Sequence, residues 1–248
     1  MNRKHPSQDL GACSDCPIRH SAVCATCEPA ELARLEKIKY YRSYDAGQPV
    51  VWAGDRVDFV ASIVDGVATI SQTMEDGRTQ MVGLLLPSDF VGRPGRAEAQ
   101  YDVTAVSKLK LCCFRRSEFE DLINDVPRIG QRLLEMMLTE LDAARDWMLI
   151  LGRKTAREKT ASLLLAIAKR HALERTCADG EGAEFDLPLT RELMANYLGL
   201  TLETVSRTLS SLKHDEIIKL ENSRNIIIPD IAALTVAAGD DMDSGVLG

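Results

Sequence analysis

The sequence predicts an α+β chain that contains a β-roll (a small jelly roll), one long helix and a winged helix-turn-helix. Three observations lead to this prediction. Glycines recur through residues 44–114 between short strand-like runs, a long apolar stripe follows, and two helical segments flank Gly199. The 248 residues, 45% hydrophobic and 27% charged, have an ordinary globular composition and sufficient length for two domains.

Residues 1–28 are polar and rich in cysteine. Four of the seven cysteines lie there, as Cys13, Cys16, Cys24 and Cys27. They form two Cys-x2-Cys pairs separated by seven residues, with little apolar surface nearby. Thiolates at this spacing are typical metal ligands. A zinc site and an iron–sulfur centre remain equally open on this segment alone.

Residues 29–125 predict the β-roll. Leu32, Leu35 and Ile38 have the spacing of a short helix over 31–40. The Asp76-Gly77 pair between two strand-like runs predicts a hairpin turn. Short runs rich in Val, Ile and Thr predict antiparallel strands near 50–52, 59–64, 67–73, 80–86 and 101–106.

Residues 126–152 predict a long helix that begins at Val126-Pro127 and ends or kinks at Gly152. Its apolar residues alternate three and four apart, which is the a/d seam of a two-helix coiled coil. A stripe of this kind often packs on its own domain, but the regularity of this one favours a homodimer. The predicted interface consists of Leu134, Met137, Leu141, Ala144, Met148 and Leu151.

Residues 153–230 predict a DNA-binding domain. A helix over 155–171 and a polar loop that contains Cys177 precede the helix-turn-helix. Thr190 is placed to cap its first helix, Gly199 to form the turn and Thr201 to cap the second helix, 202–214. Residues 231–248 are expected to be a disordered tail.

The second helix places Glu203, Ser206 and Arg207 on one face near its N-terminus, where a recognition helix reads base edges. Arginine can chelate guanine and glutamate can accept from cytosine, although Glu203 and Arg207 could also be an ordinary surface pair. The helix-turn-helix context favours base reading. The predicted DNA-binding set is Glu203, Thr204, Ser206, Arg207 and Thr201, with Lys219 and Arg224 on a hairpin wing for phosphates.

Composition, charge and the absence of certain motifs argue against several classes of protein. The net charge of −7 does not by itself favour nucleic-acid binding, although residues 153–230 carry 12 basic and 12 acidic residues. No signal-peptide pattern or apolar run of roughly 20 residues is present, which predicts a cytoplasmic protein without membrane contact. The four histidines are scattered and no catalytic motif stands out, so we expect no enzyme. A cysteine-dependent oxidoreductase would place its Cys-x2-Cys in a βαβ context. Cys13 and Cys16 precede a predicted β-roll instead, so this class is not favoured.

This order of parts resembles the Crp/Fnr family of bacterial transcription regulators, from about Leu10 to Pro229. Glu203-Thr204-Val205-Ser206-Arg207 matches the Glu-x-x-Ser-Arg recognition helix of the fumarate-and-nitrate-reduction branch, and Asn196-Tyr197-Leu198-Gly199-Leu200-Thr201 before it matches as well. The cysteine pattern is similar to that of alphaproteobacterial oxygen sensors of the FnrL type.

The resemblance implies a cyclic-nucleotide-binding-like β-roll and a 4Fe–4S cluster held by three N-terminal cysteines and one from the β-roll. It implies that the cluster-bearing homodimer binds TTGAT inverted repeats, contacts RNA polymerase and controls genes of low-oxygen metabolism. Oxygen would break the cluster and release the dimer. The hairpin tip, Glu75–Arg78, is one plausible polymerase contact.

By this resemblance Cys13 and Cys16 are the first ligands and Cys24 the third, with Cys27 as its alternative. Zinc is the alternative metal. Cyclic AMP is not expected, because no glutamate follows Gly92 in the stretch 90–96.

The fourth ligand is Cys112 or Cys113. Neighbouring strand residues point to opposite faces, so Cys113 shares the predicted barrel interior with Leu109 and Leu111, and Cys112 faces outward. This favours Cys112. The predicted seam, including Ala144, carries no charged residue that would hold cluster-free protomers apart. Whether the cluster-free protein dimerises therefore remains open.

Overall fold

The computed structural model describes residues 11–174, 182–222 and 224–240. The chain divides into two compact units, Met1–Leu138 and Thr139–Gly248. Within the described residues, no helix combines the length and the apolar character needed to cross a membrane.

The first unit contains two four-stranded antiparallel sheets, which confirms the predicted β-roll. One sheet has the order β1 (Lys39–Tyr44), β8 (Leu109–Arg115), β3 (Phe59–Asp65), β6 (Phe90–Val91). The other has the order β2 (Pro49–Val51), β7 (Asp102–Ala105), β4 (Ala68–Thr73), β5 (Thr79–Leu85). One core of buried side chains draws on both sheets, including Phe59 and Ile63 from β3 and Val103 from β7.

A second core lies on the other face of the first sheet. Because side chains alternate along a strand, Val60 and Val64 of β3 join Phe114 of β8 on this face. The cysteine-rich segment covers it together with α1 (Pro29–Ile38), α2 (Arg116–Asp125) and the beginning of α3 (Pro127–Arg153). Residues 11–28 are thus part of the fold.

The second unit contains the end of α3, a helical core and a small sheet. The helices are α4 (Ala156–Glu174), α5 (Arg191–Leu198), α6 (Leu202–His214) and α7 (Ile231–Ala237). The sheet has the order β10 (Lys219–Leu220), β11 (Asn225–Ile228), β9 (Ala183–Asp186). A helix-turn-helix with a β-wing is therefore present, as predicted.

Several boundaries differ from the sequence prediction. The helix expected to reach Tyr40 ends at Ile38, since residues 39–44 pair with β8 as a strand. α3 continues through Gly152 to Arg153, because one glycine costs a helix only about 1 kcal/mol. α4 extends beyond the expected end at His171 to Glu174. Cys177 lies outside the described residues.

The expectation of a disordered tail from residue 231 was wrong for 231–237, which form α7. The Asp230 side chain accepts a hydrogen bond from the Ala232 amide and caps this helix. Leu234 is fully buried, and α7 packs against α4. The apolar residues of α7 form a helix because α4 provides a surface on which they can pack. Residues 241–248 lie outside the described residues.

Candidate metal centre and nucleic-acid interface

A cavity on the outer face of the first sheet brings together Cys13, Cys16, Cys24 and Cys112. Three of these thiols come from the N-terminal segment and one from the middle of β8. The remaining lining is mostly apolar: Ile18, Ala22, Val23, Leu32, Leu35, Tyr41, Ser62 and Phe114. The four cysteines are those that the sequence predicts as ligands.

The N-terminal segment is held by short turns and by one arginine. Cys13–Asp15 form a 3-10 turn, and the Arg19 amide donates to the Cys16 carbonyl at 2.9 Å. The Arg19 guanidinium donates to the carbonyl of Cys24 at 2.6 Å, of Ala25 at 2.9 Å and of Cys27 at 2.8 Å. A single cation thereby fixes the backbone around the second cysteine pair.

Cys112 and Cys113 occupy opposite faces of β8, as strand alternation predicts. Cys113 is 0% exposed and belongs to the core that both sheets share. Cys112 is 8% exposed and packs with the residues of the N-terminal segment. Of the two thiols, Cys112 is therefore the one that faces the other three cysteines.

Cys27 is buried in the same apolar cluster as Cys112. Its amide donates to the Cys24 carbonyl at 3.1 Å, so the two residues belong to one turn. Among the described residues that line the cavity, Cys24 is present and Cys27 is not.

Burial controls the electrostatics of Cys13, Cys24 and Cys112. It raises the pKa of Cys24 to about 11 against the opposing charge of Arg19. Burial, followed by the neighbouring thiols, also raises the pKa of Cys112 far above its usual value. The pKa of Cys13 is raised by burial too, although the Lys39 ammonium that hydrogen-bonds to it acts in the opposite direction. Thiols in this state become thiolates only when a cation compensates, so metal binding would release protons.

The donor set has the chemistry of a thiolate-bound metal group. Among the described residues, no three histidine, cysteine or acidic side chains are close enough together to hold one metal ion. A four-thiolate zinc site needs every sulfur about 2.3 Å from a single point. A four-iron cluster bound by four thiolates distributes them over separate irons.

The helix-turn-helix is built by the predicted caps. The Thr190 hydroxyl accepts from the Leu193 amide and the Thr201 hydroxyl from the Thr204 amide, each at 3.2 Å. Gly199 has a φ of 62°, a left-handed conformation that glycine adopts without strain. These local signals place α6 directly after the turn.

The N-terminal turns of α6 present a polar face. Glu203 and Arg207 are exposed and Ser206 is half-buried, while Val205 and Leu209 are buried beneath them. Hydrogen bonds from its own backbone and from Thr201 lower the pKa of Glu203, so the carboxylate is an acceptor. The Arg207 guanidinium donates to the Thr204 hydroxyl at 3.5 Å, and its charge also helps to lower the pKa of Glu203.

The wing offers two further cations. Lys219 of β10 and Arg224, just before β11, are both exposed. The Asn222 side-chain oxygen accepts from the Arg224 amide at 2.8 Å and so orders the turn. The phosphate contacts of these two residues stay a prediction.

The predicted dimer seam is an exposed apolar stripe. Leu134 and Met148 are 60% and 73% exposed, Met137, Leu141 and Ala144 are exposed, and Leu151 is half-buried. On another face of α3, Ile150 is buried and Trp147 stacks on Tyr197 of α5 with ring centroids 4.3 Å apart. One face of this helix thus packs within the chain, while the seam face is exposed as far as the described residues show.

Sequence reasoning missed several residues that shape these sites. Arg19 and Ser62 act through turns and cross-strand register that no sequence spacing reveals. Arg157 of α4 forms an ion pair with Asp215 at 2.7 Å and donates to Ser211, which fixes the end of α6. The stack of Trp147 on Tyr197 gave no signal, because it joins segments 50 residues apart.

Two family models match the chain. A cyclic nucleotide-binding domain matches residues 41–126, and a Crp-like helix-turn-helix domain matches residues 158–236. They coincide with the β-roll and with the winged helix-turn-helix.

Named relatives cover nearly all of the chain. The transcriptional activator protein FnrL of Cereibacter sphaeroides is 64% identical over 96% of this chain and 96% of its own length. The nitrogen fixation regulation protein FixK of Bradyrhizobium diazoefficiens is 34% identical over 88% and 90% of the two chains. The solved structure of FixK2 from Bradyrhizobium japonicum superposes with a TM-score of 0.73 at 28% identity, covering 84% of this chain and 100% of that one.

The fold, the matched domains and the 64% identity lead to one assignment. The chain belongs to the Crp/Fnr family of DNA-binding transcription regulators, a family without enzymatic activity, and within it to the FnrL kind.

Proposed function

We propose that this regulator responds to oxygen through a 4Fe–4S cluster bound by Cys13, Cys16, Cys24 and Cys112. One observation carries the proposal: these four thiols, from two distant parts of the chain, line one cavity. Four cysteine thiolates are the ligand set that such a cluster takes, and the cysteine spacing resembles that of the FnrL type. When bound, such a cluster supplies an oxygen-sensitive group whose loss is the signal.

The protein's own residues would hold the group and limit access to it. Arg19 fixes the backbone of the segment that provides Cys24. Apolar side chains, including Ile18, Leu35 and Phe114, form the walls and exclude water. Cys27 remains a spare thiol in this proposal.

Two arginines connect the cysteine-rich segment to the dimer helix. Arg128 forms an ion pair with Glu28, and Arg132 donates to the Ser21 carbonyl at 2.7 Å. Both arginines lie in the first turns of α3. A segment tied to the cluster would therefore also be tied to the helix, and release of the thiols would weaken this connection.

The regulator would act as a homodimer on TTGAT inverted repeats. Its exposed seam supplies the contact between protomers, and Glu203, Ser206 and Arg207 supply the base contacts, with Thr201, Thr204, Lys219 and Arg224 around them. Relatives named as transcriptional activators support control of promoters, and therefore a cytoplasmic location. RNA polymerase would be reached through a surface such as the Glu75–Arg78 turn.

Cyclic AMP is not part of this proposal. In the 92–96 loop the Gly95 amide donates to the Glu120 carboxylate at 2.8 Å, and Glu120 is paired with Arg116 at 3.5 Å. This backbone donor is thus already occupied by the chain's own side chain.

The first experiment is anaerobic purification, followed by an absorbance spectrum and by iron and sulfide analysis before and after exposure to air. We expect a brown protein with about four irons per chain that bleaches in air. A colourless protein with stoichiometric zinc would reject the oxygen-sensing proposal and leave a DNA-binding regulator with a structural metal.

Replacement of Leu141 by Glu is expected to disrupt the homodimer. The substitution places two carboxylates in an apolar seam, which costs about 3 kcal/mol or more and weakens association at least about 100-fold. Sedimentation of the anaerobic protein measures this effect. Leu149→Glu is the matched control, because Leu149 is also exposed but lies off the seam. Equal dimerisation of the two variants would contradict the assigned interface.

The same measurement on cluster-free wild-type protein tests the switch itself. A monomer would support control of dimerisation by oxygen. A tight dimer would reject that mechanism but not the seam, and it would require a change of geometry within the dimer.

A further inference from the structure

Ser62 is the one polar side chain of β3 on the face that meets the cysteine-rich segment. Its neighbours on that face, Val60 and Val64, are both buried and apolar. Ser62 itself is only 2% exposed, and it lines the cavity that the four cysteines share. An apolar residue would be the ordinary choice at this position.

The Ser62 hydroxyl has no hydrogen-bond partner within the described residues. A buried hydroxyl without a partner destabilises the folded state. The hydroxyl faces a cavity, so a group bound in that cavity would be the missing partner.

The register of the sheet determines what that group would be. Ser62 lies directly opposite Cys112 in the antiparallel β3–β8 pair. Directly paired residues have Cβ atoms about 4.5–5.5 Å apart on the same face. A hydroxyl at that distance can reach the Cys112 sulfur or a sulfide held beside it, and sulfur anions accept hydrogen bonds from hydroxyl groups.

We propose that the Ser62 hydroxyl donates a hydrogen bond to a sulfur of the bound iron–sulfur cluster, at or next to Cys112, and thereby slows the loss of that cluster in air. The inference rests on the proposed function. Hydrogen bonds to cluster sulfurs help to set the reduction potential, because they stabilise negative charge on sulfur and make oxidation harder. Removal of the donor leaves the cluster easier to oxidise.

The test compares wild type with Ser62→Ala, Ser62→Thr and Ser43→Ala. Threonine restores a hydroxyl and suits a strand. Ser43 lies on β1, at the other side of β8 from Ser62, and is exposed, so its replacement is the control. Each protein is loaded with cluster anaerobically, and the midpoint potential and the decay of absorbance in air are recorded.

We expect Ser62→Ala to lower the midpoint potential and to shorten the half-life in air about 10-fold, because loss of a group that supports a metal ligand weakens metal binding by roughly this factor or more. Ser62→Thr should recover most of the lost half-life, and Ser43→Ala should match wild type. Exchange into D2O should shift the Fe–S vibrational bands of wild type more than those of Ser62→Ala, a difference that a purely structural role would not produce.

A second readout uses the cluster-free protein. If the hydroxyl lacks a partner there, Ser62→Ala should unfold at the same temperature as wild type or at a higher one. A lower unfolding temperature would reveal a partner within the protein and overturn the inference.

The outcomes separate the two proposals. A wild-type chain that binds no iron and sulfide overturns the proposed function and this inference with it. A wild-type chain that binds the cluster, with Ser62→Ala equal in potential, half-life and isotope shift, overturns the inference alone.

Discussion

Replacement of Cys112 by Ala is expected to abolish cluster binding, whereas replacement of Cys113 by Ala should retain it. The two cysteines are adjacent in the chain, yet β8 directs Cys112 toward the other thiols and Cys113 into the core that the sheets share. Iron content after anaerobic reconstitution should fall to background in the first variant. In the second it should remain near that of wild type, at the cost of a small core cavity.

Each of these two variants is the control for the other, because both remove one buried thiol from the same strand. Thermal unfolding of the cluster-free proteins checks that each variant folds. Iron retention in Cys112→Ala, with loss in Cys113→Ala, would contradict the assignment. The same comparison of Cys24→Ala with Cys27→Ala tests the third ligand, and we expect Cys24 to be the required residue.

Replacement of Arg207 by Ala is expected to reduce specific DNA binding by about 1–3 kcal/mol, which is roughly 5-fold to 150-fold in affinity. The exposed guanidinium on the first turns of α6 is available for a bidentate contact with guanine. Its loss should weaken binding to a TTGAT repeat much more than binding to unrelated DNA. Titrations on both duplexes at one salt concentration measure the ratio.

Lys219→Ala serves as the comparison for this variant. A lysine on the wing would contact phosphate, which carries no sequence information. Its removal should weaken binding to both duplexes alike and lower the slope of affinity against salt by about one. An Arg207→Ala protein that behaved in the same way would show that Arg207 contacts backbone and not a base.

The parts of the fold that local signals encode could be predicted from the sequence. The caps Thr190 and Thr201, the turn at Gly199 and the regular spacing along α3 each depend on residues close together in the chain. Strand alternation alone was sufficient to separate Cys112 from Cys113. These features follow from backbone periodicity and from hydrogen bonds within one turn.

The parts of the fold that depend on tertiary packing could not be predicted from the sequence. Residues 39–44 have no clear alternation and become a strand because β8 provides an edge for pairing. α7 forms where α4 offers a surface. Arg19 binds carbonyls five to eight residues away, and Ser62 meets Cys112 through a register that only the folded sheet defines.

The stack of Trp147 on Tyr197 joins α3 to α5 inside the second unit. Four seam positions, Leu141 to Leu151, belong to that same unit, whereas Leu134 and Met137 belong to the first. Two-fold pairing through those four positions would therefore fix the distance between the two recognition helices directly. Major-groove half-sites repeat about every 34 Å. The pitch of DNA therefore constrains the angle at which the last turns of the two α3 helices can cross in the dimer.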